Sequence, residues 1–140
     1  MQYPSEEDFR GFVKVIQKEE FTITKYLPAI SDDWYISVAE CIKYAESTNP
    51  YLNLDVVQEA ARILYKIVKK HDLADSNKRS AVIGVFLFLL LNDHAVLDPE
   101  RLKSEAKRIA KTKGRKNEDL IINRVTESLS EFVVHISIDD

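Results

Sequence analysis

From Ala81 to Leu91 the chain carries no polar side chain, reading Ala-Val-Ile-Gly-Val-Phe-Leu-Phe-Leu-Leu-Leu. A bilayer-spanning helix needs about 20 apolar residues, and this run falls well short. The segment therefore reads as a helix that is apolar all round and must be covered on every side by other elements. That requirement shapes the rest of the chain, which has to provide several one-sided apolar faces.

It provides them at helical spacing. Ser5 followed by Glu6, Glu7 and Asp8 is an N-cap with an acidic first turn, after which Phe9, Phe12, Val13 and Ile16 share a face up to about Lys18. Phe21 to Leu27 alternates in part, as a short strand or an extended connector closed by Pro28. Ser31 starts a second helix with Trp34, Val38, Cys41, Ile42 and Ala45 on its stripe, and Asn49-Pro50 is expected to stop it. Residues 47–54 then read as an extended link. Asp55 caps a third helix that turns Val56, Val57, Ala60, Ile63, Leu64, Ile67 and Val68 inward and ends in Lys69 and Lys70. The central helix begins at Asn77 or Lys78, and Asn92-Asp93 closes it. Asp98-Pro99-Glu100 opens a fifth helix with Leu102, Ala106, Ile109 and Ala110 inward. Gly114 and Asn117 separate it from a sixth, whose stripe is Ile121, Val125, Leu129, Phe132, Val133 and Ile136. The expected fold is all-α, a compact bundle of about six helices around residues 78–91.

With 140 residues there is room for one domain, 1–140. Three glycines and four prolines leave little material for β-turns, which supports the helical reading. A net charge of −3 argues against nucleic-acid binding by overall charge. Cys41 has no second cysteine to pair with and reads as core filler in a reducing cytoplasm. The opening Met-Gln-Tyr-Pro-Ser-Glu-Glu-Asp-Phe lacks the basic and apolar regions of a secretory signal. A cytoplasmic protein with no membrane partner is expected.

Polar chemistry is concentrated just ahead of the central helix, in His71-Asp-Leu-Ala-Asp-Ser-Asn-Lys-Arg79. An imidazole titrates near neutral pH, so His71 is the natural base for a hydroxyl proton. His94 and His135 have no comparable polar cluster beside them in sequence. Asp75 is a hard oxygen ligand suited to Mg²⁺, although an aspartate here can also simply cap a helix. Asn77, Lys78 and Arg79 fall in the first turn, where free N–H groups and the helix dipole attract anions. Two cations placed there are unfavourable unless an anion binds, and phosphate is the obvious guest. A base, a metal carboxylate and a phosphate cradle are the parts of phosphoryl or nucleotidyl transfer. Glycine-rich phosphate loops of the GxxxxGK or GxGxxG kind are absent from the sequence.

These residues resemble the Fic/Doc signature, H-x-F-x-(D/E)-x-N-(G/K)-R, and Lys78 matches the Doc (death-on-curing) branch. The similarity extends over roughly residues 50–135, with one helix leading into the histidine and a long apolar helix after it. It implies a Fic/Doc-like fold with His71, Asp75 and Arg79 as catalytic residues. Asp75 would hold Mg²⁺, and Ser76, Asn77, Lys78 and Arg79 would contact the phosphates of ATP. The resemblance further implies a toxin that phosphorylates a hydroxyl of a target protein, of which elongation factor Tu is the type in the Doc branch, under control of a Phd-like antitoxin. The alternatives are an AMP transferase of the Fic type and a catalytically silent Fic-like protein-binding domain. Lys78 and Val82 favour phosphate transfer, since AMP-transferring members carry glycine and a second arginine in those places. Asp72, Leu73 and Ser76 depart from the family pattern, and Asp72 adds negative charge beside a site for ATP. No (S/T)xxxE(G/N) inhibitory motif is present.

Two further stretches are candidates for contact with partners. Pro50, Tyr51 and Leu52, in the expected extended link, would dock a target peptide by strand addition. The basic run Lys107, Arg108, Lys111, Lys113, Arg115 and Lys116 reads first as a solvated helix face and turn, with a patch for RNA or an acidic antitoxin segment as the alternative.

Overall fold

The computed structural model describes residues 1–18, 32–70, 77–112, 114 and 117–136. Six helices and two short strands lie among them: α1 (Glu6–Lys18), α2 (Asp32–Leu52), α3 (Val56–Val68), α4 (Asn77–Leu91), β1 (His94–Val96), α5 (Pro99–Lys111), α6 (Glu118–Phe132) and β2 (Val133–His135). The chain is a helical bundle, and α4 is its centre, touching α1, α2, α3 and α5. Ser80 to Val85 and Leu87 to Leu89 are buried, as a helix apolar on all sides requires. Closest of all is the pairing of α4 with α3. Gly84 permits it, because a Cβ there would lie 3.0 Å from Ile67 Cδ1 and 3.6 Å from Val38 Cγ1.

The local start and stop signals operate as expected. Asp8 N–H donates to Ser5 Oγ at 3.2 Å while Asp8 Oδ2 accepts from Ser5 N–H at 2.8 Å, a reciprocal cap on α1. Asp55 and Gln58 form the same box on α3, at 2.8 and 2.9 Å. Asp98 caps α5 with Pro99 at its first position. Asp93, at φ 59°, turns the chain out of α4.

Four expectations change. Helix α2 does not stop at Asn49-Pro50 but runs through Pro50 to Leu52. Proline here lacks only the N–H that would reach Glu46, an exposed residue in the last turns. Hydroxyls of Ser47 and Thr48 donate to Tyr44 O at 3.0 and 2.8 Å, supporting the turn from the side chains. The stop is Asn53 at φ 52°, whose N–H donates to Asn49 O at 2.7 Å. Consequently Pro50, Tyr51 and Leu52 are helical, and an extended edge for strand addition is not present at those residues.

The second change is that the sixth helix does not carry on through Val133, where a small two-stranded sheet begins at the edge of the helical bundle. Helix α6 ends at Phe132, and Val133–His135 pairs antiparallel with His94–Val96, bringing Ala95 opposite Val134. Two β-branched valines in succession favour this over another helical turn, and Leu97 N–H to Phe132 O at 2.8 Å and Ile136 N–H to Asp93 O at 2.7 Å extend the pairing at both ends. Thirdly, Ile136 is exposed rather than part of the last helix's stripe. Finally, Ala110 is exposed and Glu105 takes the inward position beside Leu102, Ala106 and Ile109. The connector Phe21–Leu27 and the side chain of Trp34 lie outside the described residues.

Among the described residues, no helix is long and apolar enough to cross a membrane.

Candidate functional site

The connection from α3 to α4 carries the chemistry seen in the sequence, so its two ends define the site. At its start, α3 ends with Lys69 as C-cap, where Lys69 N–H donates to Tyr65 O at 3.0 Å and Lys70 N–H to Ile67 O at 3.2 Å. Lys69 Nζ donates to Thr112 O at 2.6 Å, and Lys70 Nζ pairs with Glu40 at 3.1 Å. Both cations thus complement the negative end of the α3 dipole while tying it to α5 and α2. These ties hold the end of α3 in place.

At its far end the chain enters α4 with Asn77, Lys78 and Arg79 in the first turn, followed at once by buried Ser80 and Ala81. Lys78 and Arg79 are exposed, no acid stands in that turn, and neither forms an ion pair among the described residues. The first-turn N–H groups of a helix have no intrahelical acceptor, and the dipole adds positive potential there. An anion is the complement of such an end. Val82, one turn into α4, is 1% exposed, so it belongs to the core and faces no ligand from solvent.

His71, Asp72, Leu73, Asp75 and Ser76, and the side chain of Asn77, lie outside the described residues. Of the expected residues of the polar loop and the α4 start, the described side chains are those of Lys78 and Arg79, both exposed at the start of the central helix. Among the described residues, no group of three or more His, Cys, Asp or Glu side chains could hold a metal ion. The cations at the α4 start are complementary to an anion, and the Mg²⁺ ligand assigned to Asp75 rests on the sequence.

A cleft of about 620 Å³ lies where α5 turns into α6, lined by Thr112, Asn117, Leu120, Ile121, Arg124 and Glu127 among others. Thr112 is the residue that Lys69 grips, so this cleft borders the end of α3 from which the polar loop departs. Lys107, Arg108 and Lys111 of the basic run are exposed along α5, and Arg108 leans back onto Glu105 at 3.3 Å. Lys113, Arg115 and Lys116 lie outside the described residues. Tyr51, on the last turn of α2, is 89% exposed.

Sequence reasoning missed a buried polar network beneath α2 and α3. Glu59 is 0% and Arg62 6% exposed. The Arg62 guanidinium donates to Glu59 Oε1 at 2.7 Å, Glu59 Oε2 at 3.0 Å, Ala45 O at 2.7 Å and Thr48 Oγ1 at 2.6 Å. Tyr3 Oη donates to Glu59 Oε2 at 2.6 Å. Burial, then the hydrogen bond to Glu59 and its negative charge, push the Tyr3 phenol above its ordinary range. The signal available in the sequence was a pair of opposite charges at i and i+3 on α3. This network clamps the N-terminal segment and α2 onto α3, the helix that delivers the polar loop.

Comparison with protein-family models gives no match, and no curated protein matches the sequence.

Proposed function

We propose that this chain is a Doc-like phosphotransferase, carrying the γ-phosphate of ATP to a hydroxyl of a target protein. The observation that carries the reading is the pair of exposed cations, Lys78 and Arg79, without an acidic partner among the described residues, at the start of the central helix and directly after His71 and Asp75 in sequence. A helix start with two added cations disfavours itself electrostatically unless an anion is bound. ATP supplies that anion.

In this reading, first-turn N–H groups, Asn77, Lys78 and Arg79 hold the polyphosphate, with Ser76 at the turn. Asp75 holds Mg²⁺, which neutralises the developing charge on the phosphates when bound. His71 takes the proton of the attacking hydroxyl, and Arg79 stabilises charge on the transferred group. Lys78, where AMP transferases carry glycine, alters the anion nest and turns the γ-phosphate toward the acceptor. The protein substrate belongs to the translation factors, elongation factor Tu being the first to test, and a Phd-like antitoxin is the expected control.

Incubation with cell extract and ATP labelled on the α- or the γ-phosphate tests this. The reading predicts γ-label on a protein. Label from the α-phosphate alone makes the chain an AMP transferase, and no label, together with cellular effects unchanged by His71→Ala, leaves a silent binding domain.

A further inference from the structure

The two histidines outside the polar loop meet across the small sheet. His94 of β1 stands opposite His135 of β2. The hydrogen bonds from Ile136 N–H to Asp93 O and from Leu97 N–H to Phe132 O mark those pairs as the hydrogen-bonded ones. His94 and His135, one step in from the first pair, are then a non-hydrogen-bonded pair, in which side chains approach most closely. Their ring centroids are 5.2 Å apart with the planes at 76°. Val96 and Val133, two residues further along each strand, lie on the same face, and Val133 is buried. The imidazoles therefore stand at the open end of an otherwise apolar face, with His135 exposed and His94 half-buried.

His94 Nδ1 lies 2.6 Å from Asn92 O. A carbonyl oxygen only accepts, so Nδ1 carries the proton and the neutral ring keeps its lone pair on Nε2. A ring nitrogen held by a backbone carbonyl is the usual support for a metal-bound histidine, because it fixes the tautomer and the ring plane. Asn92 is itself fixed, its side chain donating to Gln2 O at 2.7 Å and Phe88 O at 2.8 Å. With Zn–N bonds of about 2.0–2.1 Å in tetrahedral geometry, two imidazoles on one ion have centroids roughly 5 Å apart. The observed separation already meets that condition.

We infer that His94 and His135 form a two-histidine site for a divalent transition-metal ion, Zn²⁺ or Ni²⁺ in class, at the open end of the β1–β2 pair. Imidazole nitrogen suits these ions, and hard oxygen-seeking ions such as Mg²⁺ are not its guests. Among the described residues these two are the ligands, so water completes the shell and the ion is exchangeable. Binding fastens β2 to β1, and with it the end of α6 to the end of α4. The site uses none of the residues assigned to the transfer reaction and stands or falls independently of it.

The test is calorimetric titration of the full chain with ZnCl₂, in a His71→Ala, Asp75→Ala background so that the polar loop cannot contribute ligands. The expected result is one equivalent bound, with thermal unfolding shifted upward as Zn²⁺ is added, since an ion that binds only the folded state stabilises it. His94→Gln and His135→Gln, made singly, are each expected to weaken binding at least tenfold and to abolish the shift. His135 is exposed, so His135→Gln keeps the fold intact for the comparison. The inference is overturned if the background protein binds no Zn²⁺, or if it binds equally well after both substitutions.

Discussion

Replacing Arg62 by methionine asks how far the bundle depends on its one buried ion-pair network among the described residues. Methionine keeps most of the volume and the helix propensity, so the loss is that of the guanidinium. Four donor contacts disappear: two to Glu59, one to Ala45 O and one to Thr48 Oγ1. Glu59, fully buried, keeps only the Tyr3 hydroxyl at 2.6 Å. An uncompensated buried carboxylate costs about 3–5 kcal/mol when its partner is removed. A domain of this size is stable by only about 5–15 kcal/mol, so the change is large. Urea unfolding followed by far-UV circular dichroism gives the quantity, through the midpoint at unchanged m-value. Removing both charges, in Glu59→Leu with Arg62→Met, is expected to recover most of the loss, because no charge then remains buried alone. A single-variant loss below about 1 kcal/mol, or a double variant no better than the single, would refute the reasoning.

Tyr3 makes the same network sensitive to alkali. Its phenol is held above the unfolded value of about 10, so its contribution is complete below that pH and is lost as pH rises toward the folded value. Urea midpoints at increasing pH should fall above about pH 10 in the wild type and fall less steeply in Tyr3→Phe; equal slopes would contradict this. Asp55→Ala removes the side-chain acceptor for Gln58 N–H from the α3 capping box and should cost about 1 kcal/mol in the same unfolding assay. Lys78→Glu replaces an unfavourable charge at the start of α4 by a favourable one, so thermal stability should rise by roughly 0.3–1 kcal/mol while titration with Mg-ATP shows weakened binding. A Lys78→Glu protein that is less stable, or that binds nucleotide as before, would remove the argument for an anion site there.

What was legible in the sequence is what short-range rules decide. The residues at Ser5, Asp55 and Asp98 cap their helices through neighbours three positions away, and the Ala81–Leu91 run dictates burial by composition alone. The errors occurred where a distant segment chose the outcome. Val133 fits the helical stripe of α6 nearly as well as a strand, and the presence of His94–Val96 alongside decides for the strand. Pro50 reads as a stop, but hydroxyls from Ser47 and Thr48 support the last turns of α2, and Arg62 reaches in from α3 to Ala45 O. Glu59 and Arg62 look like an ordinary surface pair until α2 and Tyr3 close over them. Of the candidate site, Lys78 and Arg79 stand exposed at the start of the central helix, as their place between loop and core required.

If the residues from His71 to Arg79 form one transfer site with His71 as its base, loss of the imidazole separates nucleotide binding from transfer. Wild type and His71→Ala, both shown to be folded, are titrated with Mg-ATP and then assayed with γ-labelled ATP and cell extract. The expected result is that His71→Ala still binds nucleotide through Lys78 and Arg79 while transfer falls by about 10²–10⁴, the usual contribution of a general base. Transfer that survives His71→Ala undiminished would contradict it.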